Sequence, residues 1–254
     1  MTDRNLYADA RAENVTPIEP PARAMTIGAH PDDAEFGAGG TLAGWAAAGT
    51  HVTVLVVTDG SKGTWDPDLS KEELITARMR EQRRAAERLG ASDVIMLDHI
   101  DGELENTSAL REELCFWIRS ARPGVLFTHD PWKRYMMHPD HRATGIAAID
   151  AVVAARDHLF FANQLGKGLE KHRPDALLLW SADEVDHWED ISATFDAKVD
   201  ALLEHSTQGQ TTMGNAHEDE DQLTAFRARL REWAETQGAP AGYALGEAFK
   251  RLSP

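Results

Sequence analysis

HVTVLVVT, residues 51–58, is a nearly unbroken run of β-branched and aliphatic side chains. Both alternating sets of positions are apolar, as in a parallel strand covered on both faces. The same grammar extends outward. Upstream, residues 25–29 read as a first buried strand, and residues 36–48 carry helical sequence that Gly49 can stop. Downstream, a glycine- and proline-bearing loop at 59–70 leads to helical periodicity over 72–89, ended by Gly90. Residues 93–98, 124–128 and 176–180 read as strands, and 108–120, 139–160, 195–205 and 223–235 as helices. This alternation predicts an α/β fold with a Rossmann-like, mostly parallel sheet and helices on both faces. Right-handed crossovers place the strand C-termini on one edge, where open α/β sheets bind ligands. His30–Asp33, Asp59, His99–Asp101 and His129 fall on that edge.

Residues 25–254 are expected to form a single domain. Residues 1–24 are read as a polar arm, either loosely ordered or packed across a neighbouring subunit. The acidic run HEDEDQ at 217–222 is read as a solvated turn or helix start. The 254 residues carry 42 acidic against 26 basic side chains, a formal charge of −16. Such a surface repels a nucleic-acid backbone and leaves a neutral or small substrate as the easier partner. The lone Cys115 excludes an internal disulfide and sits in an amphipathic run as a buried helix residue. With no signal segment or membrane span, no membrane insertion and a cytoplasmic location are expected. The Gly/Ala run at 37–49 lacks a phosphate fingerprint and favours close helix packing, which argues against a nicotinamide enzyme.

Two clusters carry the chemistry: HPDD at 30–33 and HPDH at 138–141. Each alone is weak, because Asp after Pro is common in ordinary turns. Together, at predicted strand ends, they suggest a metal site of imidazole and carboxylate donors with a position left open for water. His30, Asp33 and His141 can supply two nitrogens and one oxygen. Spacing alone leaves His138 equally able to be the ligand. Asp32 can take the proton of a metal-activated water, and a positioned imidazole can stabilise the acyl oxygen or protonate the departing amine. Asp140 can orient that imidazole.

The chain resembles the PIG-L/LmbE family of zinc-dependent N-acetylglucosaminyl deacetylases. AHPDD at 29–33 and HPDH at 138–141 are similar to its two motifs. TDG at 58–60, the R-x-x-E-x-x-x-A-A-x-x-L-G pattern at 78–90, DGEL at 101–104, THDP at 128–131 and K-x-x-x-L-L-x-H-S-x-Q at 198–208 add to the likeness. The resemblance implies that His30, Asp33 and His141 bind one Zn2+ per chain, with Fe2+ or another divalent metal as a substitute. It implies Asp32 as general base, His138 as oxyanion stabiliser and Asp140 as the partner that orients His138. Arg78, Asp101, His129, Asp130, Trp132 and His205 are candidate substrate contacts. His99 is a weaker candidate, and Trp65 and Tyr135 join Trp132 as possible aromatic platforms for a sugar.

The implied reaction is hydrolysis of the N-acetyl amide of an N-acetylglucosamine-containing small molecule or glycoconjugate, giving acetate and the amine. Two alternatives stand beside it. One is an amidase that removes a larger acyl group from an aminosugar-thiol conjugate; the other is a noncatalytic sugar-binding protein of the same fold. The family also implies a homo-oligomer.

Overall fold

The structure is a computed structural model that describes residues 16–166, 168–216 and 219–254. Most of the N-terminal arm, residues 1–15, lies outside the described residues, as do the first two residues of the acidic run, 217 and 218. The described end of the arm packs on its own chain: Ile18 N–H donates to Glu189 Oε1 at 3.0 Å, and the Thr50 hydroxyl to Pro21 O at 2.7 Å.

Seven strands form one sheet among the described residues: β1 (Arg23–Gly28), β2 (His51–Thr58), β3 (Asp93–His99), β4 (Val125–His129), β5 (Ala176–Trp180), β6 (His187–Asp190) and β7 (Gly246–Leu252). Their spatial order is β3-β2-β1-β4-β5-β7-β6. The first five are parallel; β7 runs antiparallel to both β5 and β6. Among the described residues six α-helices complete the layers: α1 (Asp33–Ala47), α2 (Lys71–Leu89), α3 (Ser108–Ala121), α4 (Pro139–Arg156), α5 (Phe195–Leu203) and α6 (Glu220–Gly238). None is long and apolar enough to cross a membrane.

The run at 51–58 is apolar on both alternations because both faces of β2 are covered. Val52, Val54 and Val56 pack with α1 and α2 residues such as Leu42, Trp45 and Leu89. Leu55 and Val57 pack on the opposite face with α3 and α4 residues such as Leu114, Ala147 and Ala151. Cys115 belongs to this second core and is fully buried. A third cluster joins α5 and α6 through Phe195, Val199, Phe226 and Leu230.

Three departures from the sequence reading have local causes. The edge pair β6 and β7 was not anticipated, because HWED and GEAFKRL interleave charge with apolar residues. Glu247, in β7, is nonetheless buried. Helix α1 is irregular at Ala38 (φ −147°), and Glu247 accepts the Gly40 and Thr41 N–H groups freed there, at 3.0 and 2.9 Å. Lys198 Nζ, 2.6 Å away, balances its charge. Finally, α4 stops at Arg156 rather than near residue 160. The buried Arg119 guanidinium donates to Ala154 O, Ala155 O, Asp157 O, Phe160 O and Phe161 O, taking carbonyls that a longer helix would have used. Close packing of the Gly-rich α1 is borne out: a Cβ on Gly40 would sit 2.6 Å from Ile191.

Candidate active site

The chain leaves β1, forms β2 and β3 on one side, then returns to place β4 on the other side of β1. This reversal opens a crevice at the C-terminal ends of β1 and β4. Residues 29–33 follow β1 into it, and His129 ends β4. The turn is tight: a Cβ on Gly28 would lie 3.0 Å from Asp33 Cβ, and Asp33 Oδ2 accepts the His30 N–H at 2.7 Å. The first turn of α4 supplies the second cluster. His138 is its N-cap, Pro139 follows, and Asp140 and His141 enter the crevice from above.

The two clusters meet. His30 Nδ1 lies 3.2 Å from His141 Nε2 and 3.6 Å from Asp33 Oδ2, and His141 Nε2 lies 3.4 Å from Asp33 Oδ1. Bonds of about 2.0–2.1 Å to a tetrahedral Zn2+ set ligand atoms about 3.3–3.4 Å apart. The His30–His141 and His141–Asp33 Oδ1 separations are close to that spacing, and the N/O set fits zinc, with Fe2+ also compatible. Among the described residues, three other groupings also bring metal-binding atoms together: His30 with His138 and His141, Asp33 with His129 and His141, and His30 with Asp101 and Asp140.

Hydrogen bonding separates these sets. His129 is fully engaged: Nδ1 accepts the Trp180 indole N–H at 3.0 Å, and Nε2 stands 3.1 Å from Asp33 Oδ2. Burial pushes His129 down to about 4, so it is neutral and its Nε2–H donates to Asp33. It orients the carboxylate of Asp33. Burial alone would raise Asp33, but the neighbouring His141 and the hydrogen bonds from His129 and His141 hold it well below the usual carboxylate range.

Asp140 was expected to orient His138, but its carboxylate turns the other way. Oδ2 lies 3.2 Å from His30 Nε2 and accepts the Gly102 N–H at 2.6 Å, and Oδ1 accepts from Leu104 N–H. The reason is helical phase. Asp140 sits in the first turn of α4 facing inward, and only its backbone N–H reaches His138, donating to Nδ1 at 3.3 Å. Asp101, an expected substrate contact, also backs His30, with Oδ1 3.2 Å from Nε2. Burial would lower His30, but hydrogen bonds to Asp101, Asp140 and Asp33 hold it well above its ordinary value.

Asp32 stands apart from this cluster at a backbone φ of 102°, a left-handed conformation uncommon outside glycine. Its Oδ2 is buried without a hydrogen-bond partner and lies 3.9 Å from Arg78 Nη2. Burial raises Asp32 to about 6; the Arg78 guanidinium opposes the rise and Asp33 adds to it. Arg78 is buried, donating to Gly60 O at 3.0 Å and Pro31 O at 2.6 Å. His138 is exposed, with its ring 4.5 Å from His30 and 4.8 Å from His141, centre to centre. Partial shielding of its ring in the cleft, then the His30 and His141 charges, lower it. With Nδ1 accepting from Asp140 N–H, its proton resides on Nε2.

These groups line a cavity of about 580 Å3 with Arg78, Asp101 and His129. Lys62, Trp65, Met136, Gln208 and Thr211 also line it, and only Trp65 among these had been singled out as a possible sugar contact. Trp65 and Thr211 also border an adjoining cavity of about 520 Å3. Four candidate substrate contacts, His99 among them, stay off the cavity wall. His205 is fully buried behind Glu35, whose Oε2 is 3.7 Å from its Nε2. Asp130 is spent on its own turn, accepting the Trp132 N–H at 2.9 Å, and Trp132 projects into solvent. His99 pairs with Glu113 at 2.7 Å.

Residues 25–152 match the PIG-L family, described as GlcNAc-PI de-N-acetylase. The chain is 36% identical over 192 residues to a diacetylchitobiose deacetylase of Thermococcus kodakarensis, covering 76% of this chain and 72% of that protein. It is 32% identical over 165 residues to the 1D-myo-inositol 2-acetamido-2-deoxy-alpha-D-glucopyranoside deacetylase of Geodermatophilus obscurus, covering 55% of this chain and 56% of the relative. The structure superposes on the N,N'-diacetylchitobiose deacetylase of Pyrococcus horikoshii with a TM-score of 0.84 at 29% identity, covering 98% of this chain and 88% of that one.

Proposed function

The chain belongs to the PIG-L family, and from that premise we propose that it is a metal-dependent hydrolase removing the N-acetyl group of an N-acetylglucosamine-containing small molecule or glycoconjugate. The observation that carries the reading is the convergence of His30, Asp33 and His141 beside Asp32 and His138 in one cavity. In this reading those three side chains hold one Zn2+ or, as a substitute, Fe2+. When bound, the cation supplies Lewis acidity that acidifies a water and polarises the acyl carbonyl. His129, Asp101 and Asp140 keep the donor atoms in place through their hydrogen bonds to Asp33 and His30.

The protein's own groups do the proton work. Asp32, with its unpartnered Oδ2, accepts a proton from the attacking water as the new C–O bond forms. His138 presents a neutral Nε2–H to the developing oxyanion, a fixed donor that needs no prior protonation. On C–N cleavage Asp32 returns its proton to the departing amine, leaving acetate and a glucosamine product. Arg78 keeps Asp32 more acidic than burial alone would allow. Trp65, on the shared border of the two cavities, offers an aromatic face to the part of the substrate beyond the acetylated ring.

The net charge of −16 weighs against a nucleic-acid partner, and the single Cys115 thiol suits a reducing, cytoplasmic location. A homo-oligomer is part of the proposal. The test of the metal assignment is metal content in folded His30→Ala, Asp33→Ala and His141→Ala proteins. Each is expected to lose most of its bound metal; near-full occupancy in all three overturns the ligand set.

A further inference from the structure

A buried polar chain lies behind Asp32, and the chemistry above makes no use of its Gln82 and Glu35. The Pro31–Asp32 peptide is gripped at both ends. Its carbonyl accepts Arg78 Nη2–H at 2.6 Å, and its N–H donates to Gln82 Oε1 at 3.1 Å. Arg78 and Gln82 are one turn apart on the same inward face of α2, so the helix acts as a two-point clamp on one peptide plane. Gln82 is completely buried, and so is its other partner, Glu35. Gln82 Nε2–H donates to Glu35 Oε1 at 2.6 Å. Glu35 Oε1 takes the amide N–H, which fixes which end of the amide faces it and leaves the Gln82 oxygen toward Asp32. A non-glycine residue at φ 102° persists only where its surroundings over-determine the conformation. The clamp supplies that constraint from an element outside the loop.

We propose that Gln82, oriented by Glu35, is a positioning residue that holds the Pro31–Asp32 peptide plane so that the Asp32 carboxylate is presented to the cleft. The inference rests on the assignment of Asp32 as the base. Gln82 and Glu35 touch neither substrate nor metal donors in this arrangement; they act through the backbone of Asp32.

The experiment compares three metal-loaded variants with wild type on N,N'-diacetylchitobiose. Gln82→Met keeps the length and removes the acceptor. It is expected to lower kcat about 10–100-fold, the scale of a small misplacement of a reacting group, with KM and metal content nearly unchanged. The reversed pair Gln82→Glu with Glu35→Gln keeps an oxygen for Asp32 N–H and an amide-to-carboxylate hydrogen bond behind it. It is expected to retain kcat within about 3-fold of wild type, a rescue that follows from the hydrogen-bond pattern alone. If Gln82→Met does not fold, the reversed pair still decides: folded and metal-loaded but more than about 10-fold slower, it overturns the proposal. A folded Gln82→Met with wild-type kcat and only a lowered Tm also overturns it, leaving Gln82 as packing. Asp32→Asn separates the two readings. If Asp32→Asn is inactive while Gln82→Met is fully active, the positioning claim alone fails. If Asp32→Asn is fully active, the base assignment fails and the positioning claim with it.

Discussion

His138 offers the sharpest separation of ligand from catalyst. It is the N-cap of α4, with Nδ1 accepting the Asp140 N–H at 3.3 Å, so one ring nitrogen serves the helix and the other carries the donor hydrogen. His138→Asn keeps a side-chain oxygen suited to an N-cap but removes the ring N–H. Losing one oxyanion donor costs about 10²–10³-fold in kcat, about 2.7–4 kcal/mol. His138→Ala loses the cap as well, about 1 kcal/mol, which for a chain of this size lowers Tm by roughly 2–4 °C. The two variants should therefore share the kinetic defect and differ in stability. The assay is kcat from released primary amine, metal content by elemental mass spectrometry and Tm, all on the same preparations. Metal should remain near one per chain in both. Metal lost in step with activity would make His138 a ligand, and unchanged kcat would reduce it to a helix cap.

Three further outcomes follow from individual contacts. His129→Ala removes the hydrogen bond that holds Asp33 and should weaken metal affinity about 10–100-fold while leaving a measurable site; titration with a metal-competing chelator checks this. Arg78→Gln removes the cation 3.9 Å from Asp32 Oδ2. Because that charge lowers Asp32, its loss raises the Asp32 pKa, the base becomes protonated at higher pH, and the acid limb of kcat should move up by about 1 pH unit, read against the variant's own plateau. Trp65→Ala should raise KM for a disaccharide substrate about 2–10-fold and leave that for N-acetylglucosamine nearly unchanged; equal effects on both would remove Trp65 from the outer part of the site.

The central strands were legible because burial on both faces leaves no polar alternation to misread, as in residues 51–58. The antiparallel edge was not. In β7 the buried Glu247 reads as a surface charge until Lys198 and the irregular turn of α1 are placed against it. The meeting of the two motifs was legible because His30 and Asp33 are local to one turn, while His138 and His141 belong to a second motif at the predicted sheet edge; spacing alone did not choose between those two histidines. Its supporting shell was less so. Asp140 was paired with His138 by resemblance, whereas its position in the first turn of α4 aims its carboxylate at His30. Asp101 was placed near a substrate by its position on the edge and Arg78 by resemblance alone, yet each spends polar atoms on the site's framework. Gln208 and Thr211 reach the cavity on a late loop, and Gln208 Nε2–H bonds Gly63 O at 2.8 Å, a contact between segments that no spacing rule connects. The φ of Asp32 carries no sequence signal, since aspartate occupies ordinary turns just as readily.

The most direct measurement of the central claim is product stoichiometry from the reconstituted protein. Metal-free chain is loaded with Zn2+ and incubated with N,N'-diacetylchitobiose, N-acetylglucosamine and an N-acetylglucosaminyl-inositol, with acetate and primary amine quantified together. The account predicts equimolar acetate and amine from at least one of the three, lost on chelation and restored by adding zinc. A chain carrying one zinc per molecule that releases neither product from any of them would contradict it.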